Sequence, residues 1–477
     1  MRALIAVLAA LLSGTLLQAG APTPAVASGD GERPNFVVIF CDDLGYGDLS
    51  CFGHPAIKTP RLDALAAGGQ KWTNFYVAAS VCTPSRAGLM TGRYPIRSGM
   101  CSDRRAVLFP DSAGGLPAAE VTIAEALKPL GYATAAVGKW HLGHLPEFLP
   151  TRHGFDSYFG IPYSNDMDKV RGTASHFVLA ETENFKAYNV PLLRDTRELE
   201  RPADQRTITR RYTEEAVRFI EKKHRGDAPY FLYLAHSLPH IPLFRHKDFH
   251  GRSTNGIYGD VIEEIDWSVG RIVDAIKRSD DQTFLVFTSD NGPWLTFKTH
   301  GGSAGPLREG KGSTWEGGMR EPTVMWAHPK PLATGIVHEM GSTLDLLPTF
   351  VSLAGGKLSP DRIYDGHDLS PVLTGSGPGP RDTMFFYHGE QLFAVRNGQF
   401  KAHFQTKERY VGQREARRHD PPLLYHLGHD VGERFDVAAK HPEVIAKIKA
   451  LAEAHKESVQ LVENQLEKRL PRKQGRQ

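Results

Sequence analysis

Cysteine is scarce in this chain: 477 residues contain only Cys41, Cys51, Cys82 and Cys101. Four cysteines allow three full pairings, but at this density they build no disulfide scaffold, so the fold must rest on an apolar core. Long apolar runs are missing too. The run A-L-I-A-V-L-A-A-L-L after Arg2 is too short for a comfortable membrane span, and no later segment is long enough. A charge excess is also absent. The 57 Lys and Arg against 54 Asp and Glu leave +3, which gives no sign of nucleic-acid binding. No N-x-S/T sequon occurs, which weighs against a lysosomal destination reached through N-glycans.

The N-terminus follows a signal-peptide pattern: Arg2, the apolar run, then small residues with a candidate cleavage site at Ala25-Val26-Ala27 or near 19–21. A signal peptide over 1–27 predicts an exported chain, periplasmic or secreted, with no membrane span. At the other end, K-R-L-P-R-K-Q-G-R-Q reads as a solvated basic tail, assigned to 471–477. Over the whole chain, 40% apolar and 23% charged residues are ordinary for a globular enzyme.

Short β-branched or aromatic runs alternate with helical stretches, which predicts an α/β fold with a mainly parallel sheet. Strands are expected at 35–40, 133–137, 229–235 and 283–288. Helices are expected at 59–69, where Thr59 caps and Pro60 starts the first turn, and at 121–131, 208–224 and 258–277. A further helix is expected to begin at Pro84. Beyond about 371 the texture changes to T-M-F-F-Y, Q-L-F-A-V, F-K-A-H-F and P-L-L-Y. This predicts a smaller antiparallel subdomain over 371–470, closed by a helix at 442–470, behind a catalytic domain at 33–370.

Four of these strands end in chemically capable clusters: Cys41-Asp42-Asp43, Gly138-Lys139-Trp140-His141, His236-Ser-Leu-Pro-His240 and Ser289-Asp290-Asn291-Gly292. Open α/β sheets bind ligands outside the carboxyl ends of their strands, so the clusters are expected to share one crevice. Asp42, Asp43, Asp290 and Asn291 form an all-oxygen set. Adjacent carboxylates are costly to bury without a cation, and oxygen donors suit Ca²⁺ or Mg²⁺ over Zn²⁺. Each pair alone reads equally well as a turn or a helix cap. Lys139 and His141 combine a cation with an acid/base, which suits an anionic substrate. His240 and His236 both qualify as a second acid/base, and the sequence does not choose between them.

The glycine-rich stretch at 301–318 contains G-P-L-R-E-G-K, close to a phosphate-binding loop. Gly312 stands where that loop needs a hydroxyl and no strand leads in, so the stretch is read as presenting Lys311 to an anion. Cys82, in V-C-T-P-S-R-A-G-L-M-T-G-R-Y-P, is compatible with a buried hydrophobe, a disulfide half, a metal ligand, a precursor of something else, or a nucleophile of lowered pKa beside a helix start and Arg86.

The run C-T-P-S-R at 82–86, followed by A-G-L-M-T-G-R-Y-P, resembles the type I sulfatases. The resemblance extends through C-D-D-L-G-Y-G-D-L-S, G-K-W-H-L-G, P-H-I-P-L, S-D-N-G, G-K-G-S-T-W-E-G-G-M-R-E-P and D-L-L-P-T, and reaches from 34 to about 437. G-I-P-Y-S and F-K-A-H-F are similar to the arylsulfatase A and N-acetylgalactosamine-6-sulfatase branch. The resemblance implies an alkaline-phosphatase-like α/β sandwich with a large mixed, mainly parallel sheet and a small C-terminal antiparallel sheet.

It also implies that a maturation enzyme converts Cys82 to Cα-formylglycine (3-oxoalanine). One hydroxyl of the hydrated aldehyde would attack sulfur, and the second would release sulfate by reforming the aldehyde. Carried over by position, Asp42, Asp43, Asp290 and Asn291 would bind one Ca²⁺, and Arg86 would support the formylglycine and the metal shell. Lys139 and Lys311 would hold sulfate oxygens, His141 would assist collapse of the sulfate ester, His240 would protonate the leaving oxygen, and Ser164 would orient the site. Hydrolysis of an aryl or carbohydrate sulfate is the expected reaction. The alternatives are a phosphate or phosphonate ester hydrolase of the same superfamily and a non-catalytic sulfated-glycan binder. Cys41 departs from the pattern, standing where relatives usually carry a small or apolar residue.

Overall fold

The computed structural model describes residues 33–471 apart from 225, 227 and 411–414. The signal peptide expected at 1–27 and the basic tail from 472 onward lie outside the described residues. Among the described residues no helix is long and apolar enough to cross a membrane.

In chain order the main strands are β1 (Asn35–Cys41), β2 (Gln70–Tyr76), β3 (Ala133–Gly138), β4 (Ser157–Gly160), β5 (Leu192–Arg194), β6 (Arg197–Glu200), β7 (Tyr230–Ala235), β8 (Thr283–Ser289), β9 (Thr323–His328) and β10 (Gly335–Ser342). They form one 10-stranded sheet in the order β10-β2-β9-β8-β1-β7-β3-β4-β5-β6. The centre, β8-β1-β7-β3-β4, is parallel, while β9, β5 and β6 run against their neighbours. The sheet is thus mixed, with a parallel middle.

Strand β1 shows why the middle is buried on both faces. Val37, Ile39 and Cys41 join one apolar cluster, while Phe36, Val38 and Phe40 join the other. Alternation along the strand sends each set to its own face. Helices Ile208–Lys223 and Gly256–Ile276 cover the first face through Tyr212, Ala216, Ile220, Val261, Ile265 and Val269. Helices Cys82–Thr91, Ile123–Leu127 and Leu346–Leu353 cover the second. The crossovers are long because parallel neighbours require them.

A second sheet is antiparallel, β11 (Thr383–His388), β12 (Gln391–Asn397), β13 (Phe400–Thr406) and β14 (Arg417–His426), in that order. Its apolar face packs with Tyr76, Tyr94 and helix Pro442–Ser458.

Three local expectations are corrected. The helix expected from Pro84 starts at Cys82: extended Val81 precedes it, and its carbonyl accepts from Ser85 N (3.1 Å). Pro84 fits inside because first-turn amides have no helical partner. Thr59 precedes helix Pro60–Gly68 without capping it by side chain, since its Oγ1 donates to Asp63 Oδ1 (3.1 Å). The C-terminal helix stops at Ser458, where Arg97 grips the Ser458 carbonyl (2.7 Å) and Oγ (2.9 Å). The following segment runs back over the catalytic part as a strap. Gln465 N donates to Gly99 O (2.9 Å), Ala113 N to Lys468 O (2.9 Å) and Leu470 N to Asp111 O (2.9 Å).

Candidate functional site

Register assembles the site. Cys41 is level with Ser289, Phe40 with Ala235, and Gly138 with Ala235, so β1, β8, β7 and β3 end in one row. The residues that follow emerge together, as the crevice rule requires. Asp42, Asp43, Cys82, Arg86, Lys139, His141, Ser164, His240, Asp290, Asn291 and Lys311 are all buried, the most exposed being Lys311 at 5%.

The carboxylates and cations interlock. Lys139 Nζ lies 2.5 Å from Asp42 Oδ2, and Lys311 Nζ lies 2.6 Å from Asp43 Oδ1. Arg86 donates to Asp290 Oδ2 through Nε (2.9 Å) and Nη2 (2.7 Å), and to Lys139 O through Nη1 (3.0 Å). Asp43 N donates to Asp290 Oδ1 (3.2 Å), and Asn291 Nδ2 to Asp43 Oδ1 (2.7 Å). Asp43 holds φ +66° and His141 φ +59°, left-handed values that side chains other than glycine adopt at a cost, and such strain clusters at functional sites.

Burial, and after it the charge of Asp42, push Asp290 up to about 7 even beside Arg86. Burial raises Asp43 as well, whereas Lys139 and the other cations hold the equally buried Asp42 well below its ordinary value, so two of the three carboxylates carry more than the local cations relieve. Asn291 Oδ1 is buried without a hydrogen-bond partner. A hard cation answers both observations, since it takes oxygen donors and offsets their charge. Asp42, Asp43, Cys82 and His240 also bring one donor atom each within 4.8 Å of one another. In that group the thiol is the poor ligand. Burial first, then Asp290 and Asp42, raise Cys82 well above the usual thiol value, so the low-pKa thiolate considered from sequence is not what the fold builds.

Cys82 Sγ donates to Asp42 Oδ1 (3.3 Å) from the first turn of its helix. Thr83 Oγ1 donates to His141 O (3.0 Å) and accepts from Leu108 N (3.1 Å), tying that turn to the His141 loop. His141 Nε2 faces Leu108 O (2.8 Å), a pure acceptor, so Nε2 carries the proton and the buried, unpartnered Nδ1 is a free lone pair. Burial, and then Lys139, hold this imidazole well below its ordinary pKa. His240 Nδ1 faces Ile241 O (2.6 Å), which leaves Nε2 toward Ser164 Oγ (3.4 Å) and Asp43 Oδ2 (3.7 Å). Ser164 Oγ also accepts from Lys139 Nζ (3.2 Å). The fold separates the two histidines left open by sequence: His236 Nε2 turns to Ser268 Oγ (3.2 Å) on helix Gly256–Ile276, and His240 alone reaches the cluster.

Some participants had no place in the sequence reading. The Lys311 ammonium lies 4.3 Å from the Trp294 ring centroid, and the His240 ring is 5.3 Å from it. Trp294 follows S-D-N-G-P directly, so its position was a usable signal. Tyr233 accepts from Arg86 Nη1 (3.4 Å) out of the middle of β7, and Leu108 contributes only a carbonyl, which every residue type offers.

Two family models match: sulfatase over residues 34–356 and the C-terminal region of aryl-sulfatase over 379–475. The chain belongs to the sulfatase family. It is 43% identical over 445 residues to human arylsulfatase A, covering 88% of this chain and 87% of the relative. It is 38% identical over 483 residues to mouse N-acetylgalactosamine-6-sulfatase, covering 93% and 88%. A crystal structure of Ps i-CgsB in complex with k-i-k-neocarrahexaose superposes with a TM-score of 0.76 at 30% identity, covering 92% of this chain and 95% of that one. This sulfatase is accordingly a sulfuric ester hydrolase with the alkaline-phosphatase-like sandwich.

Proposed function

We propose that this sulfatase is an exported enzyme that cleaves aryl or carbohydrate sulfates with a Cα-formylglycine made from Cys82 and one bound Ca²⁺. The supporting observation is the setting of Cys82: a protonated thiol, too poor a nucleophile as it stands, in the first turn of a helix and among Asp42, Arg86, Lys139 and Lys311. As an aldehyde hydrate, this position supplies one hydroxyl to attack sulfur and a second to release sulfate afterwards. Asp42, Asp43, Asp290 and Asn291 would hold the Ca²⁺, which supplies positive charge to the sulfate oxygens.

The remaining work falls to this chain's own side chains. Lys139, paired with Asp42, and Lys311, paired with Asp43, bind sulfate oxygens. Arg86 fixes Asp290 and the Lys139 carbonyl, and so the shape of the crevice. His141 accepts a proton at Nδ1, because Leu108 fixes the tautomer. His240 presents Nε2 to the leaving oxygen, and Ser164 orients it against Lys139. Preorganised donors of this kind are worth ~2.7–4 kcal/mol each in other hydrolases. In this reading the catalytic domain spans 33–370 and the antiparallel subdomain 371–470. The names of the relatives favour a sugar or aryl sulfate over the phosphate or phosphonate alternative.

The test is mass spectrometry of the Cys82 peptide after co-expression with a formylglycine-generating enzyme, alongside sulfate release by wild type and Cys82→Ala. Loss of one sulfur and two hydrogens with gain of one oxygen, the change from thiol to aldehyde, is expected together with an inactive variant. Unmodified thiol together with full activity in Cys82→Ala would overturn the mechanism.

A further inference from the structure

A cavity of about 250 Å³ opens beside the catalytic crevice, walled by Val81 and Pro84 on either side of the Cys82 turn and by Gly312 next to Lys311. Its floor is apolar, from Ala78, Ala79, Ile96 and Tyr387. Its rim is cationic, from Arg104, Lys407 and Arg409. The Arg409 guanidinium lies directly on Gly312: a β-carbon there would stand 1.9 Å from Nη1, so the glycine is what lets the cation sit beside the Lys311 loop. The strand of chain carrying it is clamped, with Arg409 N and Tyr410 N both donating to Glu309 Oε2 (2.9 and 3.1 Å). Lys407 Nζ donates to His388 Nε2 (3.2 Å), a neutral acceptor that leaves its charge uncompensated.

The cavity does not end there. Arg104 and Ala106 also wall a second, open cavity of about 650 Å³, whose other cations are Arg105, Lys169 and Arg469. The carboxylates along this course are already engaged. Asp103 accepts from Glu390 N (2.9 Å) and Gln391 Nε2 (2.8 Å), Asp111 pairs with Arg105 and Arg469, and Asp168 accepts from the Tyr163 hydroxyl. Six cations line a path away from Cys82 on a protein whose overall charge is only +3; Asp111 offsets Arg105 and Arg469 and Glu467 lies 3.4 Å from Arg104, so the three that these carboxylates leave over are Lys407, Arg409 and Lys169. A lone neutral alcohol would need none of them. Local charge of one sign in a groove concentrates and orients a ligand of the other sign.

Building on the sulfatase reading of the crevice, we infer that the groove running from Lys407 and Arg409 across Arg104 to Lys169 binds an anionic oligosaccharide. The sulfate to be cleaved sits at Cys82, and further sulfate or carboxylate groups on neighbouring sugar units meet these cations. Lys407 and Arg409 are the specificity-determining pair, because they flank the crevice itself.

The experiment measures inhibition of 4-nitrophenyl sulfate hydrolysis by a size-defined dextran sulfate oligosaccharide, with unsulfated dextran of equal length beside it. Competitive inhibition by the sulfated chain alone is expected, weakening as salt rises. The inhibition constant should increase about tenfold or more in Lys407→Ala/Arg409→Ala, as loss of charge-assisted contacts predicts. It should increase about threefold in Arg104→Ala, whose side chain is 83% exposed and safe to truncate, and stay unchanged in Lys449→Ala outside the groove. Equal inhibition by unsulfated dextran, or an unchanged constant in both groove variants, overturns the inference. If no sulfate ester is hydrolysed, the catalytic reading fails instead. Fluorescence anisotropy of the labelled oligosaccharide on the same variants then decides the groove separately.

Discussion

Replacing Lys401 by methionine removes a buried charge while keeping most of the side-chain volume. From β13, Lys401 Nζ donates to Thr314 O (2.8 Å) and Glu316 Oε1 (2.9 Å) and lies 3.2 Å from Glu433 Oε1. All three charged side chains are fully buried. Glu316 opens the short helix after the Lys311 loop, and its amide donates to Glu433 Oε2 (2.7 Å), so this knot fastens the second sheet to the catalytic loop. Breaking a buried pair from one side costs about 3–5 kcal/mol, because the other charge stays behind. Burial alone would raise Glu316, but Lys401 first, then Arg320 and Arg396, hold it down at about 2 against an ordinary 4.5, so Lys401 is the largest of the charges that keep this carboxylate ionised.

At ~2.1 cal/mol/K per residue, unfolding this chain carries an entropy of about 1 kcal/mol/K, so Lys401→Met should lower Tm by about 3–5 °C in a thermal-shift assay. Lys401→Met/Glu316→Gln should recover part of the loss, because the stranded carboxylate is gone. The pH sense is fixed as well. A carboxyl whose folded pKa is depressed binds protons more readily in the unfolded chain between pH 4.5 and about 2. Its contribution is therefore complete above pH 4.5 and fades as pH falls toward 2, so the gap between wild type and Lys401→Met should close in acid. A loss under about 1 °C, or a double variant whose loss is the plain sum of the singles, would refute the reasoning.

Chelation by EGTA should lower both turnover and Tm, and Ca²⁺ at a hundred times its dissociation constant should restore ~2.7 kcal/mol, about 3 °C. Indifference to EGTA in both readouts would remove calcium from the proposal. Trp294→Leu should reduce kcat/KM on 4-nitrophenyl sulfate by about 2- to 30-fold, the range of a cation–π contact to Lys311; a rate equal to wild type would show the ring to be mere packing. Gly292→Ala places a β-carbon 1.9 Å from Gly317 O, so calorimetry should find a loss of ~1–3 kcal/mol or more, with turnover falling as Asn291 shifts. Wild-type values for both would mean the loops are not held that closely.

Much of the centre was legible from the sequence because its signals are local. Strand β1 and its partners announce themselves as short apolar runs, and each ends in a cluster that has no business in a core. The outer strands were harder. β2 reads Q-K-W-T-N-F-Y and β6 reads R-E-L-E, with polar residues where a buried strand would carry apolar ones: β6 is an edge strand with three of its four residues exposed, and β2, one strand in from the other edge, is only partly buried along its middle. The end of the last helix was misplaced for a related reason: what stops it at Ser458 is Arg97, which lies 361 residues away in sequence. The spacing of Lys139 and His141 placed both in the crevice, but not which nitrogen of His141 is free, since Leu108 O decides that from another loop.

By itself the sequence determined the chemistry on offer: an oxygen-only donor set, a Cys-Thr-Pro-Ser-Arg turn, two lysines and an alternation of strands and helices that forces a parallel centre. Those are properties of residue type and period, which chain order carries directly. The tertiary structure decided everything that depends on what a group faces. It turned His236 to Ser268 and His240 to the carboxylates, kept the Cys82 thiol protonated by burying it beside Asp42 and Asp290, and laid Arg409 on Gly312 to extend the crevice into a cationic groove. Dielectric and distance set charge and tautomer, and neither is a property of any one position in the chain.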